Sequence, residues 1–318
     1  MSKTIKVSIF GAGGYIGLEL IRLMQGHPSI ELINVTSENH AGQKLNELWP
    51  HLAKSCELTL SNAPLEKIAN ESDCIFLALP HSIATSIVPQ LIGKAKLIDL
   101  SQDFRGKAPF IYGVPEWNKK DIQAAQNIAN PGCFAIGIEL ALHPIREWIE
   151  HVSVLGITGS SGAGKLPQED THHALRNHNL KSYKLGEHPH YPEILHAVGL
   201  QKEQLVFIPT KGPYSRGIHL TAFLEMKKVF SPYEMSEFFQ KAYDNQPFIR
   251  LKKEVQLAEV VGSNFCDISV QEIHGKLVVQ AVLDNLVKGA AGNALQNFNL
   301  MFGFEENLGL KQFTPLFP

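Results

Sequence analysis

The chain has 318 residues, 44% hydrophobic and 19% charged, a composition suited to a soluble globular protein long enough for two domains. Its 29 Lys plus Arg against 31 Asp plus Glu leave a formal charge of −2, and no basic tail or charge block favours nucleic acid or an anionic membrane. Cys56, Cys74, Cys133 and Cys266 are widely spaced with no C-x-x-C pair. That pattern fits neither a disulfide framework nor a zinc site, so a reducing, cytoplasmic setting and a small-molecule partner are expected. The opening MSKTIKVSIFGAGG has no long apolar core or cleavage site, and no apolar run approaches the roughly 18 residues of a membrane span, so neither signal peptide nor membrane contact is expected.

In chain order, the β-branched and apolar residues 4–10 predict a strand, GAGGYIG a turn, and Ile16, Leu20, Leu23 and Met24 a helix that Gly26 and Pro28 stop. Apolar runs at 30–35, 74–79, 97–100 and 127–129 read as further strands alternating with helices. The fold class is therefore α/β, a doubly wound parallel sheet over residues 1–131. Beyond it the texture changes, and longer strands at 152–158, 204–209, 217–226 and 276–283 predict a mixed or antiparallel sheet in a second, α+β domain. A last helix at about 288–303 returns to the first domain. The division is 1–131 plus about 290–318 for dinucleotide binding, and 132–289 for catalysis and oligomerisation.

Four motifs carry chemistry. In the first, Gly11, Gly14 and Gly17 stand between strand and helix, where glycines let a pyrophosphate approach the N–H groups of the helix start, here Tyr15 and Ile16. The second strand ends at Thr36, Ser37 and Glu38. Ser37 suits a 2′-phosphate, whereas Glu38 would repel one if it pointed inward.

The second motif, Asn130-Pro131-Gly132-Cys133, opens the run FAIGIELAL and places Cys133 in the first turn of a helix, where dipole and N–H groups favour a thiolate. The other three cysteines read as core filler. Third, GSSGAGK at 159–165 falls one residue short of a P-loop, because Leu166 stands where the magnesium-binding hydroxyl belongs. A nucleoside triphosphatase is excluded, although the loop, with Ser161 and Gly162, offers N–H donors and hydroxyls to a phosphate. Fourth, His188 and His190 flank Pro189, so that in an extended turn both would point to one side. Without a completing ligand nearby, no metal site is expected. A histidine beside a thiol is an acid/base candidate.

Together GAGGYIG, FLALPHS, LIDLSQDFR, YGVPEW, NPGCF, TGSSGAGK, EHPHYPEI, IPTKGPYSRGI, VGSNFC and DNLVKGAAGNALQNFNLMFG resemble the N-acetyl-γ-glutamyl-phosphate reductases of arginine biosynthesis, over residues 5 to about 303. The resemblance implies a Rossmann domain, NADP in preference to NAD, an acyl phosphate substrate, and a homodimer or homotetramer. Carried over by motif, Cys133 is the nucleophile and His190 or His188 the acid/base, with Arg105, Glu193 and Arg216 at the substrate. Pro80 and Asn285 join the glycine loop, Ser37, Ser161 and Gly162 at the cofactor.

Four positions depart from the family's usual pattern: Phe134 for tyrosine, Thr210 for histidine, Glu38 for a basic residue, and EHPH for HRH. Rival readings are the same chemistry on another acid (N-succinyl-glutamyl, aminoadipyl or aspartyl phosphate), and a non-catalytic nucleotide sensor.

Overall fold

The computed structural model describes residues 4–310, so the end of the segment expected to run to 318 lies outside the described residues. Two compact units divide the chain near Pro131 and Gly289.

The first unit is built on seven strands: β1 (Ile5–Phe10), β2 (Ile30–Thr36), β3 (Leu60–Ser61), β4 (Cys74–Leu77), β5 (Lys96–Asp99), β6 (Ile111–Tyr112) and β7 (Asn127–Ala129). They pair in the order β3-β2-β1-β4-β5-β7-β6, every pair parallel. Between them run α1 (Tyr15–Met24), α2 (Leu45–Leu48), α3 (Leu65–Glu71), α4 (Ala84–Leu91) and α5 (Pro115–Ala124). Both faces of the sheet are covered, which is why β4 is apolar throughout instead of alternating. Ile75 and Leu77 pack with Ile68, Val88 and Leu91 of α3 and α4.

The second unit opens with α6 (Cys133–Leu142) and adds β8 (Ile149–Thr158), α7 (His173–Arg176), β9 (Lys181–Ser182), α8 (Tyr191–Val198), β10 (Leu205–Lys211), β11 (Ile218–Met226), α9 (Pro232–Tyr243), β12 (Ile249–Leu251), β13 (Cys266–Ile273) and β14 (Lys276–Leu283). The mixed sheet has the order β12-β13-β14-β11-β8-β10-β9; β8 with β10 and β12 with β13 are its parallel pairs. Strands β9, β12 and β13 were not among those expected; β9 and β12 are too short to show a period, whereas β13 alternates apolar and polar residues from Cys266 to Gln271. Helix α6, buried beyond Cys133, seats on β11 and β14. It sits close because Gly137 carries no Cβ, which would come within 2.6 Å of Leu220 Cδ1 and Leu283 Cδ2. On the other face, Leu155, Val206 and Phe223 remain exposed at alternate strand positions.

The chain then makes a π-turn over Val287–Ala291 and enters α10 (Gly292–Met301), which packs on α1 and α5 in the first unit. Phe298 of α10 meets Phe76 of β4 with ring centroids 5.9 Å apart. All ten residues of α10 are buried, including Asn293, Gln296, Asn297 and Asn299. Buried amides need partners. Asn293 and Asn297 both donate to Gly113 O and Asn130 Oδ1, while Asn299 donates to Glu306 O and Leu308 O.

In the glycine loop Gly11 has φ +81, and a Cβ there would lie 2.2 Å from Ala78 O. A Cβ on Gly17 would lie 2.5 Å from Gly11 O, whereas one on Gly14 would have its nearest neighbour at 3.6 Å. Gly17→Ala is therefore expected to cost about 1–3 kcal/mol of stability by overpacking, and Gly14→Ala far less. Comparing their denaturation midpoints with wild type checks this; equal losses would show that the close helix–strand approach is not the constraint.

Candidate active site

Cys133 is the first residue of α6, with Gly132 as N-cap in extended conformation (φ −74, ψ 152). The helix ladder begins where Ile136 N–H donates to Gly132 O, so the N–H groups of Cys133, Phe134 and Ala135 precede it. Cys133 is half-buried, whereas Cys56, Cys74 and Cys266 are buried. Burial pushes the Cys74 thiol far above its ordinary value, so that sulfur stays inert at neutral pH.

The two histidines stand against this helix start. His190 forms the N-cap of α8 with φ −82 and ψ −7, so the extended turn expected from the sequence is a helical one. The rings are nonetheless adjacent, 4.7 Å between centroids, because Pro189 turns the chain tightly and His190 N–H donates to His188 Nδ1 at 3.2 Å. A Cβ on Gly132 would lie 2.3 Å from His190 Nε2 and 2.7 Å from Glu193 Oε1. Only glycine leaves room for the imidazole one residue from the cysteine. Glu193 Oε2 accepts Gly132 N–H at 3.2 Å, and its Oε1 lies 3.9 Å from His190 Nε2. That carboxylate, expected at the substrate wall, is drawn inward: it holds the α6 N-terminus and faces the ring.

His188 is 7% exposed and ringed by Phe134, Tyr183 and Phe207 at centroid distances of 5.4–5.6 Å. Burial, helped by the charge of Lys184, pushes its pKa down to about 4, so it is neutral at physiological pH. The Tyr183 hydroxyl lies 3.4 Å from His188 Nε2. Burial, with Cys133 adding a smaller effect, raises the Tyr183 hydroxyl well above its ordinary value and keeps it protonated. Phe134, where the family often has tyrosine, closes this wall with a ring that is 1% exposed. Thr210, in the histidine's place, shares a hydrogen bond with Ser182 at 2.9 Å.

Three residues complete the geometry, of which sequence reasoning had singled out only the glycine that follows Asn285. A Cβ on Gly289 would sit 2.8 Å from Cys133 Cβ, so the π-turn must approach the cysteine with bare backbone. Asp284, fully buried, accepts the N–H groups of Gly262, Leu286 and Val287 and pairs with Arg216 at two points, 3.0 and 3.1 Å. Arg216 is thus held by an internal carboxylate first. Tyr183 is the third. The run DNLVKGAAG was the available signal for two of them, but not for which backbone atoms would meet.

The GSSGAGK loop departs from its reading. The N–H groups of Gly159, Ser160 and Ser161 donate to the carbonyls of Gly217, Tyr214 and Ser215, and those of Gly162 and Gly164 to Gly159 and Ser161. The expected cradle of N–H donors is used inside the fold. Asn285 seals it, its amide donating to Ser161 Oγ at 3.0 Å and its oxygen accepting Gly217 N–H at 2.6 Å.

In the first unit, the α1 ladder starts with Leu18 N–H to Gly14 O, so the N–H groups of Tyr15, Ile16 and Gly17 precede it at the positive end of the helix dipole. The bare backbone at Gly11 and Gly17 and this helix start fit a dinucleotide pyrophosphate. Ser37 is half-buried at the end of β2, Glu38 is exposed, and Pro80 is exposed beyond β4. A Cβ on Gly13 would lie 3.4 Å from Ser37 Oγ, so the hydroxyl lines the glycine turn. Arg105 Nε donates to Asn130 O at 2.9 Å.

A dinucleotide-type sheet followed by a mixed-sheet domain that opens on a helix-start cysteine defines a class of oxidoreductase. The matches agree: residues 6–125 fit the model for "Semialdehyde dehydrogenase, NAD binding domain", and residues 133–285 that for "Semialdehyde dehydrogenase, dimerisation domain". Among solved structures, aspartate semialdehyde dehydrogenase II from Vibrio cholerae superposes with a TM-score of 0.76 at 18% identity, covering 95% of this chain and 99% of that one. The Candida albicans aspartate semialdehyde dehydrogenase with NADP gives a TM-score of 0.76 at 15% identity over 96% and 100%. These show the fold.

Curated relatives are nearer. An N-acetyl-gamma-glutamyl-phosphate reductase from Shouchella clausii is 39% identical over 99% of this chain and 100% of its own, and one from Staphylococcus saprophyticus 37% over 99% and 100%. The chain belongs to the N-acetyl-gamma-glutamyl-phosphate reductase family.

His188 and His143 both have pKa values lowered to about 4 by burial, against 6.5 when unfolded. Between those values the unfolded chain binds more protons, so stability is full above pH 6.5 and falls as pH drops through 4. Denaturation midpoints measured from pH 7 to 4 should show this loss, and a His188→Gln variant should show a shallower slope. An unchanged slope would mean that the ring is not buried neutral.

Proposed function

We propose that this enzyme reduces N-acetyl-γ-glutamyl phosphate to the semialdehyde with NADPH, through a thioester on Cys133, as a cytoplasmic homo-oligomer. The single observation that carries the mechanism is the crowding at Gly132, where His190 and Glu193 converge one residue from the cysteine.

The Cys133 thiolate attacks the γ-carbonyl carbon, and the tetrahedral species collapses by losing phosphate, a good leaving group, to leave a thioester. Charge developing on the carbonyl oxygen is met by the first-turn N–H groups of α6, an effect worth about 2.7–4 kcal/mol for one such donor elsewhere. Gly132 N–H is not among these donors, since Glu193 holds it. NADPH supplies, when bound, the hydride that reduces the thioester carbonyl. His190 donates the proton to the resulting oxygen and recovers it as the carbonyl re-forms and the thiolate departs. Glu193 orients the His190 ring. His188, held neutral by its aromatic wall, sets the position of His190 through the Nδ1 contact to its backbone. Arg105 and Arg216 are the candidates for the substrate's α-carboxylate.

For the cofactor, Tyr15, Ile16 and Gly17 N–H groups would hold the pyrophosphate and Ser37 the 2′-phosphate, with Glu38 turned to solvent. Pro80, Ser161, Gly162 and Asn285 remain proposed contacts, of which Asn285 acts by holding its loop. The exposed Leu155, Val206 and Phe223 on the open sheet face support self-association.

Phosphate-dependent NADP reduction by N-acetylglutamate semialdehyde tests the reading, with NADP expected to exceed NAD in kcat/KM. Cys133→Ser should abolish turnover while NADPH affinity, measured by fluorescence titration, stays near wild type. Near-normal turnover in that variant would remove the thioester step.

The histidines separate by pH. His190→Asn should lower kcat by roughly 10²–10⁴, the span of a positioned acid/base, and erase one limb of the pH–rate profile. His188→Asn should keep both limbs. The reverse outcome reassigns the proton to His188.

A further inference from the structure

The first unit contains a buried carboxylate that the mechanism above does not use. Asp99, the last residue of β5, is fully buried, and its neighbours in the sheet, Leu77 and Ala129, are apolar. A buried carboxylate is retained where hydrogen bonds and a facing charge offset its desolvation. Here Asp99 Oδ1 accepts Ser101 N–H at 3.1 Å, and its Oδ2 accepts the Ser101 hydroxyl at 2.8 Å. The Ser101 oxygen in turn accepts Asp103 N–H at 3.1 Å, and Asp103 Oδ1 accepts Ser82 N–H at 2.9 Å. The turn that leads to Arg105 is thereby wound around one carboxylate.

Arg105 is tied to the same residue by a second route. Its Nε donates to Asn130 O at 2.9 Å, and Asn130 N–H donates to Asp99 O at 2.7 Å. The Asp99 side chain thus fixes the loop that carries the arginine, and the Asp99 main chain fixes the residue that accepts its Nε–H. Burial pushes the Asp99 pKa up to about 6, against the pull of the two Ser101 hydrogen bonds. The charged groups acting on it are Arg105, which favours the ionised form, and Asp103, which opposes it. Asp99 is therefore ionised at neutral pH and takes up a proton as pH falls through 6. A neutral carboxyl holds the two Ser101 donors less strongly than a carboxylate does.

We propose that Asp99 is a positioning residue for substrate binding: ionised, it holds the 99–105 turn through Ser101 so that the Arg105 guanidinium is presented to the substrate's α-carboxylate. The inference deepens the reading above and rests on Arg105 as that carboxylate's partner. Fully buried, Asp99 acts through Arg105, so its loss weakens substrate binding and leaves the hydride and proton steps alone.

The test measures kcat and the KM values for N-acetyl-L-glutamate 5-semialdehyde and for NADP in wild type, Asp99→Asn, Ser101→Ala and Arg105→Met. At about pH 8, Asp99→Asn should raise the aldehyde KM roughly tenfold, with kcat and the NADP KM within about twofold of wild type. The ratio of variant to wild-type aldehyde KM should shrink towards one as pH falls through 6, a comparison in which titrations common to both enzymes cancel. Ser101→Ala should raise the same KM, which keeps the test open should Asp99→Asn fold poorly. With Arg105→Met raising the aldehyde KM, three results overturn the proposal: an unchanged KM in either folded variant, an equal loss in kcat or NADP binding, or a ratio that stays constant across pH 6. An aldehyde KM unchanged in Arg105→Met overturns the Arg105 reading, and this inference with it.

Discussion

Everything at the candidate active site depends on the missing side chain at Gly132. The residue caps α6 in extended conformation, offers its N–H to Glu193, and leaves the space that His190 Nε2 occupies. A methyl group there would collide with both partners at once. Gly289 likewise comes up as bare backbone against the cysteine Cβ. Bare backbone thus meets the cysteine Cβ, and one imidazole fills the space beside the preceding residue, an arrangement in which few atoms can shift independently. Such crowding is the physical form that preorganisation takes here.

The crowding is sustained by groups with no chemistry of their own. Helix α6 cannot retreat, because Gly137 and Gly156 bring it against Leu220, Leu283 and Phe134 at distances that any Cβ would violate. Asp284 fastens the start of the π-turn through the N–H groups of Leu286 and Val287 and ties it to Gly262 and Arg216. In the first unit, the buried amides of Asn293 and Asn297 converge on Asn130, the residue that begins the Asn-Pro-Gly-Cys run. A buried polar network of this kind is stable only when its members are satisfied together. Such networks favour one arrangement over near alternatives.

Environment also separates two histidines that the sequence presents as equivalents. His188 lies within an aromatic box whose burial disfavours its charged form, while His190 Nε2 lies 3.9 Å from the Glu193 carboxylate. Two identical side chains, two residues apart, are given different surroundings by burial and by one acidic neighbour. The same logic applies to the cysteines, since Cys74 is buried beyond ionisation and Cys133 lies half-exposed at a helix start.

The sequence by itself determined the two-part architecture, the glycine turn, the helix that begins at Cys133 and the family. Each of these is written in local periodicity or in contiguous motifs, where neighbours in sequence are neighbours in space. Only the tertiary structure decided which atoms meet. The loop at 159–165 looked like a phosphate cradle until its N–H groups were seen bonded to residues 214–217. Glu193 looked like a wall of the substrate site and proved to hold the start of α6. Arg216 looked free for substrate and is paired with Asp284. The extended turn expected at 188–190 is helical because His190 caps α8. In the first three cases the deciding contact joins residues far apart in the chain. Hydrogen-bond satisfaction and close packing are settled among such distant partners, and no local pattern records them.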